Sequence, residues 1–180
     1  MRTRTSSSVT VAGAVLVMVV ATPGPASARE PGAQELTVVI AQDFGAEQPA
    51  FSRVVASGVV NGVGTDVFRP SGEGGPNSYS TYVFRAGTLS ITTTATAFDV
   101  RPLGSSCVAT FTATGTWEVT GGTGAYQGAT GHGTLTVRGT MASARTPDGC
   151  SGTDGTSHGV IRETGQISLP DDRVPARAAR

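Results

Sequence analysis

The chain has 180 residues, 13 arginines and no lysine, 13 acidic residues, two cysteines and a formal net charge of zero. Without a basic face or run, nucleic acid is not an expected partner. The length suits one domain with a hydrophobic core of its own.

Residues 1–28 read as a secretory signal peptide. Arg2 and Arg4 open it, Val9 to Ala21 is an apolar run, and Ala26-Ser27-Ala28 is a small-residue cleavage site. The run has 13 residues, short of the roughly 20 that a bilayer-spanning helix needs, so no stable membrane span is expected. Removing the leader leaves 11 arginines against 13 acids. The expected location is extracellular.

After a short polar lead, Glu35 to Gln42 alternates, with Leu36, Val38 and Ile40 on one side, and predicts a strand. Asp43 to Ala50 reads as a connection. Ser52 to Thr65 is a long β-prone stretch in which Val55, Val59 and Val63 share a face with Ser57 and Asn61, and Gly58, Gly62 and Gly64 mark bulges or bends. Arg69 to Asn77 (RPSGEGGPN) is a loop. Ser80 to Arg85 is a strand with Tyr82 and Phe84 on one face, and Thr88 to Val100 is another, with Leu89, Ile91, Ala95 and Ala97 together. Val108 to Thr120 is the cleanest strand, apolar or glycine at odd positions and mostly threonine at even ones. Between Gly121 and Gly133 fall six glycines, a density that calls for positive φ or close backbone approach, with Tyr126 as the anchor of a tight turn. Thr134 to Ala144 repeats the threonine pattern. Arg145 to Gly155 reads as a polar loop, and Thr156 to Leu169 as a last strand with Ile161, Ile167 and Leu169 on one face. Residues 170–180 have too little apolar content to fold and predict a disordered tail.

Threonine-rich β segments with glycine breaks and no helical period imply an all-β fold. Six or seven such segments over residues 29–169 make a β-barrel the expected architecture, because long strands broken by internal glycine coil and close, which removes sheet edges. An immunoglobulin-like sandwich is the alternative. In an exported chain Cys107 and Cys150 are expected to form a disulfide, the rival reading being a reactive thiol at either site.

The glycine run from Gly122 to Gly128 spells GxGxxxG with no helix to follow, so it does not read as a phosphate loop. His132 and His158 stand without an HxH or HExxH pattern, and no GxSxG elbow occurs, so neither a metal, a cofactor nor a serine nucleophile is expected. The informative exceptions are polar groups on apolar faces. Glu163 lies between Ile161 and Ile167, Asn61 between Val59 and Val63, and Gln42 extends the face of Leu36, Val38 and Ile40. If these faces point inward, Glu163, Asn61 and Gln42 are the candidate catalytic residues, and a buried carboxylate among them would be hard to ionise. The other reading makes them structural partners. Tyr82, Phe84, Phe111 and Trp117 would be the walls of the lumen.

Three segments carry a resemblance. QELTVVIAQDFG (34–45), STYVFRAGTLSI (80–91) and GTWEVTGGTGAYQGATGHGTL (115–135) resemble, in order, the first strand, the Tyr-x-Phe…Gly-x-Leu-Ser segment and the glycine hallmark of the allene oxide cyclase-like barrels, relatives of the dirigent proteins. The resemblance implies an all-β, eight-stranded antiparallel β-barrel over residues 29–169 whose apolar cavity holds a reactive chain near its product conformation, an isomerase or cyclase chemistry without cofactor. Where the plant cyclases place a catalytic Glu and, two residues on, an Asn, this chain has Ile40 and Gln42, so that catalytic set does not carry over. The functional expectation is a secreted barrel that binds a small hydrophobic molecule and templates an isomerisation or cyclisation. The alternative is a non-catalytic exported barrel acting through its surface as an envelope-associated or structural/interaction module. Oligomeric state stays open.

Overall fold

The structure is a computed structural model that describes residues 31–44, 51–70 and 75–170. The expected leader, and the tail beyond Pro170, lie outside these residues, as does the centre of the 69–77 loop. Eight strands follow one another: β1 (Gly32–Asp43), β2 (Phe51–Gly58), β3 (Gly62–Pro70), β4 (Asn77–Phe84), β5 (Gly87–Pro102), β6 (Val108–Gly122), β7 (Thr130–Thr146) and β8 (Gly149–Ser168). Each pairs antiparallel with the next, and β8 returns to pair with β1 along its whole length, Gly32 opposite Ile167 through Asp43 opposite Thr156. One antiparallel sheet thus closes in a ring and leaves no free edge, as the alternation and glycine breaks lead one to expect.

Alternation decides what faces inward. From β1 come Leu36 and Val38, from β2 Val54 and Ala56, from β5 Leu89 and Ile91, from β6 Trp117 and Val119, and from β8 Ile167, all buried. The opposite faces carry the threonine rows, such as Thr116 beside Thr134 on β7 and Thr134 beside Thr164 on β8. One end of the ring is plugged. There Gln34 donates from Nε2 to the Val60 carbonyl at 3.1 Å and accepts from the Val60 N–H at 2.8 Å, so this buried amide closes the β2–β3 turn. Tyr126, on a short 3-10 turn at Gly124–Tyr126, packs edge-on against Phe84 at 5.8 Å. The glycine run is therefore architectural. It ends β6, turns on Gly124 (φ 60°) and Gly128 (φ 72°), seats Tyr126 and begins β7.

Glycine has a second use inside the ring. Trp117 on β6 lies opposite Gly133 on β7, which lies opposite Gly165 on β8. A Cβ on Gly133 would stand 2.6 Å from the indole Nε1, and one on Gly165 would stand 2.7 Å from its Cζ2. The indole lies down over two side-chain-free positions and donates from Nε1 to the Thr134 carbonyl at 3.1 Å. Six residues up the same strand the arrangement recurs, with Phe111 over Gly139 and Gly159.

Two segments depart from the sequence expectation. Residues 52–65 are not one bent strand but the hairpin of β2 and β3, turning between Gly58 (φ 131°) and Gly62 (φ 143°). Valines occur at both parities here, and inward is the set Ser52, Val54, Ala56, so Val55 and Val63 pair on the outside at 50% and 67% exposure. Asn61 falls in the turn and is exposed. Residues 145–155 are likewise not a loop. β7 and β8 extend as a hairpin to Thr146 and Gly149, with Cys150 paired to Arg145. This hairpin projects past the core, so its residues are polar on both sides and show no alternation.

Cys107 and Cys150 are joined in a disulfide, Cα–Cα 5.4 Å, which ties the start of β6 to that projecting hairpin. The reactive-thiol reading is thereby set aside: among the described residues no cysteine is free. The bond spans 43 residues. Replacing both cysteines with serine is expected to lower stability by about 3–4 kcal/mol, the loop-entropy value for such a span, read as a lower urea midpoint.

Candidate functional site

The plugged end fills the ring with side chains; the other half does not fill. A cavity of about 280 Å³ remains there, walled by Ile40, Phe68, Pro76, Ala95, Phe98, Phe111, Ala113, Val137 and Ile161, with Ser78, Ser80, Tyr82, Thr93, Leu135 and Glu163 also facing it. Exposure gives the direction. Phe98 is 64% exposed and marks the rim, while Tyr82, Leu135 and Glu163 are buried and form the floor. Phe98 reaches the interior because β5 slips its register between Ala95 and Ala97, so even-numbered positions face inward beyond the slip. Ala97 is therefore exposed and not on the inner face with Leu89. At the rim Phe98 and Phe111 face each other at 6.2 Å.

Glu163 is the chemical centre. Alternation along β8 turns it inward between Ile161 and Ile167, and none of its surface reaches solvent. The Tyr82 hydroxyl, from across the ring on β4, donates to its Oε1 at 2.9 Å. Its Oε2 has no hydrogen-bond partner among the described residues. Burial pushes the carboxyl up to about 8, against the pull of the Tyr82 hydroxyl and with a further push from Asp66. Tyr82 itself is driven well above its ordinary value, first by burial and then by the negative charge of Glu163.

A second acid stands beside this pair. Asp66, on β3, lies opposite Tyr82 in register and is buried. Its Oδ2 accepts from the Ser52 hydroxyl at 3.3 Å, and its Oδ1 has no partner among the described residues. Burial raises it to about 6, although hydrogen bonds from Ser80 and Ser52 work the other way.

Of the residues singled out from sequence, Tyr82, Phe111 and Glu163 come together at the cavity. Trp117 and Phe84 face inward but lie in the packed half, not on the cavity wall. Gln42 is half-buried on the side of Leu36 and Val38 and does not line the cavity, and Asn61 is in the exposed turn at the plugged end. Sequence reasoning missed Asp66, Ser80 and Ser52. Their signal was the inward parity of Gly64, Asp66 and Phe68, which is visible only once the hairpin is placed. Among the described residues no three His, Cys, Asp or Glu side chains converge to hold a metal ion, and no helix is long and apolar enough to cross a membrane.

No family model, curated protein or solved structure matches the chain.

Proposed function

We propose that the chain is a secreted member of the allene oxide cyclase-like and dirigent-like barrels and that it binds a small, mainly apolar molecule in its interior. The carrying observation is the cavity of about 280 Å³, apolar in its walls and closed at its floor by a buried carboxyl with one oxygen unpaired. That pattern, an apolar concavity with a few convergent polar groups and a displaced pKa, is what small-molecule sites share. The closed order of eight antiparallel strands and the glycine run seated by Tyr126 support the barrel family, and the disulfide supports export.

Ile40, at the position where the resemblance puts a catalytic Glu, is a cavity wall residue, and the carboxyl comes instead from Glu163 on the adjacent strand β8. A carboxyl that titrates near 8 exchanges a proton readily at neutral pH, the property that a cofactor-free isomerisation or cyclisation asks of its acid or base. Such a reaction changes no composition, so shape and one proton site suffice. An interior filled throughout would have favoured a purely structural module; the open half favours binding. Native mass spectrometry of protein purified from its own culture medium should show a retained mass that leaves on denaturation. Empty protein that also takes up no hydrophobic dye would overturn the reading.

A further inference from the structure

One acid, Glu163, lies at the floor of the cavity, and a second buried acid, Asp66, acts on it from outside the cavity lining. Glu163 and Asp66 are both buried, each has one oxygen without a hydrogen-bond partner, and no arginine or histidine is among the residues that line the space. The arginines on these strands are exposed: Arg69 on β3, Arg138 on β7, Arg162 on β8, and Arg53 on β2, which lies over the ring of Phe51. The one ion pair among the described residues, Arg101 with Asp99, is exposed and unconnected to the floor. With no cation beside it, buried Glu163 is held in its protonated form at neutral pH, and a cation brought to it would favour the carboxylate. The titratable side chains that face Glu163 are Tyr82 on β4 and Asp66 on β3, and neither brings positive charge. Three phenylalanine rings, Phe68, Phe98 and Phe111, line the cavity walls, and Tyr82 lies at the floor beside Glu163. Aromatic faces attract cations, most strongly where water is excluded.

We infer that the ligand of this cavity carries a cationic amine at one end of an apolar body, with the ammonium on the free oxygen of Glu163 near Asp66 and the apolar body against the aromatic rings of the rim. The inference rests on the reading of the cavity as a binding site and adds the chemistry of the ligand's polar end. It accounts for features that a purely apolar ligand leaves unexplained: the unpartnered oxygen of Glu163 at the cavity floor and the phenylalanine rings of the walls. An anionic ligand would find no cation among the lining residues to neutralise it. The proton balance is simple. At neutral pH Glu163 holds a proton, and an ammonium that replaces it sends that proton to the buffer.

The test is calorimetric titration of the full disulfide-bonded protein at pH 7 with four probes on one skeleton: 4-phenylbutylamine, 4-phenylbutanol, butylbenzene and 4-phenylbutyrate. The expected result is that the amine binds roughly tenfold or more tighter than the alcohol and the hydrocarbon, with the carboxylate weakest. Its enthalpy should also change with the ionisation heat of the buffer, the mark of a released proton. Glu163→Gln should erase both the amine preference over the alcohol and hydrocarbon and the buffer dependence. If the alcohol or hydrocarbon binds as tightly as the amine, the cationic assignment is overturned and the cavity reading stands. If none of the four binds, both are overturned.

Discussion

Replacing Trp117 with alanine is expected to cost about 3–5 kcal/mol, the range for removing a fully buried aromatic side chain and leaving the space behind. The structure gives reasons to expect the upper part of that range. The indole is 1% exposed and lies over Gly133 and Gly165, which have no side chains to move into the gap. Its loss also leaves the Thr134 carbonyl without the Nε1 donor. Urea unfolding of wild type and variant measures the difference directly. Phe111→Ala, at the half-exposed rim over Gly139 and Gly159, should cost much less in stability and widen the mouth of the cavity.

The second large effect is on the pH dependence of stability and comes from Glu163. Its folded-state value is raised from 4.5 to about 8, so the folded protein holds a proton that the unfolded chain gives up. The stabilisation is fully present below pH 4.5, declines as pH rises toward 8, and is gone above it. Over that window wild type should lose on the order of 5 kcal/mol relative to Glu163→Gln, whose amide oxygen still accepts from Tyr82 but does not titrate. The two proteins should unfold at similar urea concentrations at pH 4 and diverge by pH 9, where the variant is the more stable. Asp66, raised from 3.8 to about 6, adds a decline of the same sign at lower pH, present in both proteins. Equal midpoints for the two proteins at every pH would contradict the burial of a titrating Glu163.

The fold was legible where one face is buried and the other wet. The alternation of β6 and β7, the cysteine pair and the turn on Tyr126 follow from periodicity and residue chemistry and stand in the structure as expected. The sequence was ambiguous where alternation is missing. Val54 and Val55 offer both parities, so the three residues between Gly58 and Gly62 set the faces of β2 and β3 and sent Asn61 outside. At the Cys150 hairpin both sides meet water, and a paired strand there has the composition of a loop. Glu163 was legible because a charge interrupts an apolar face between Ile161 and Ile167. Height along the ring was not, since periodicity assigns a side but not a level: Trp117 and Phe111 share a face of β6, yet one packs the closed half and the other edges the cavity. Asp66 depends on both the hairpin and the level.

The site rests on one group being what its surroundings make it: a neutral carboxylic acid at the cavity floor at physiological pH. Carbon-13 NMR of protein labelled at its glutamate side-chain carboxyls, titrated from pH 3 to 10, measures this most directly. One resonance should titrate near 8, be absent from Glu163→Gln and shift when an amine probe occupies the cavity. If every glutamate carboxyl titrates in the ordinary range near 4.5, Glu163 is solvated and the account of the site is wrong.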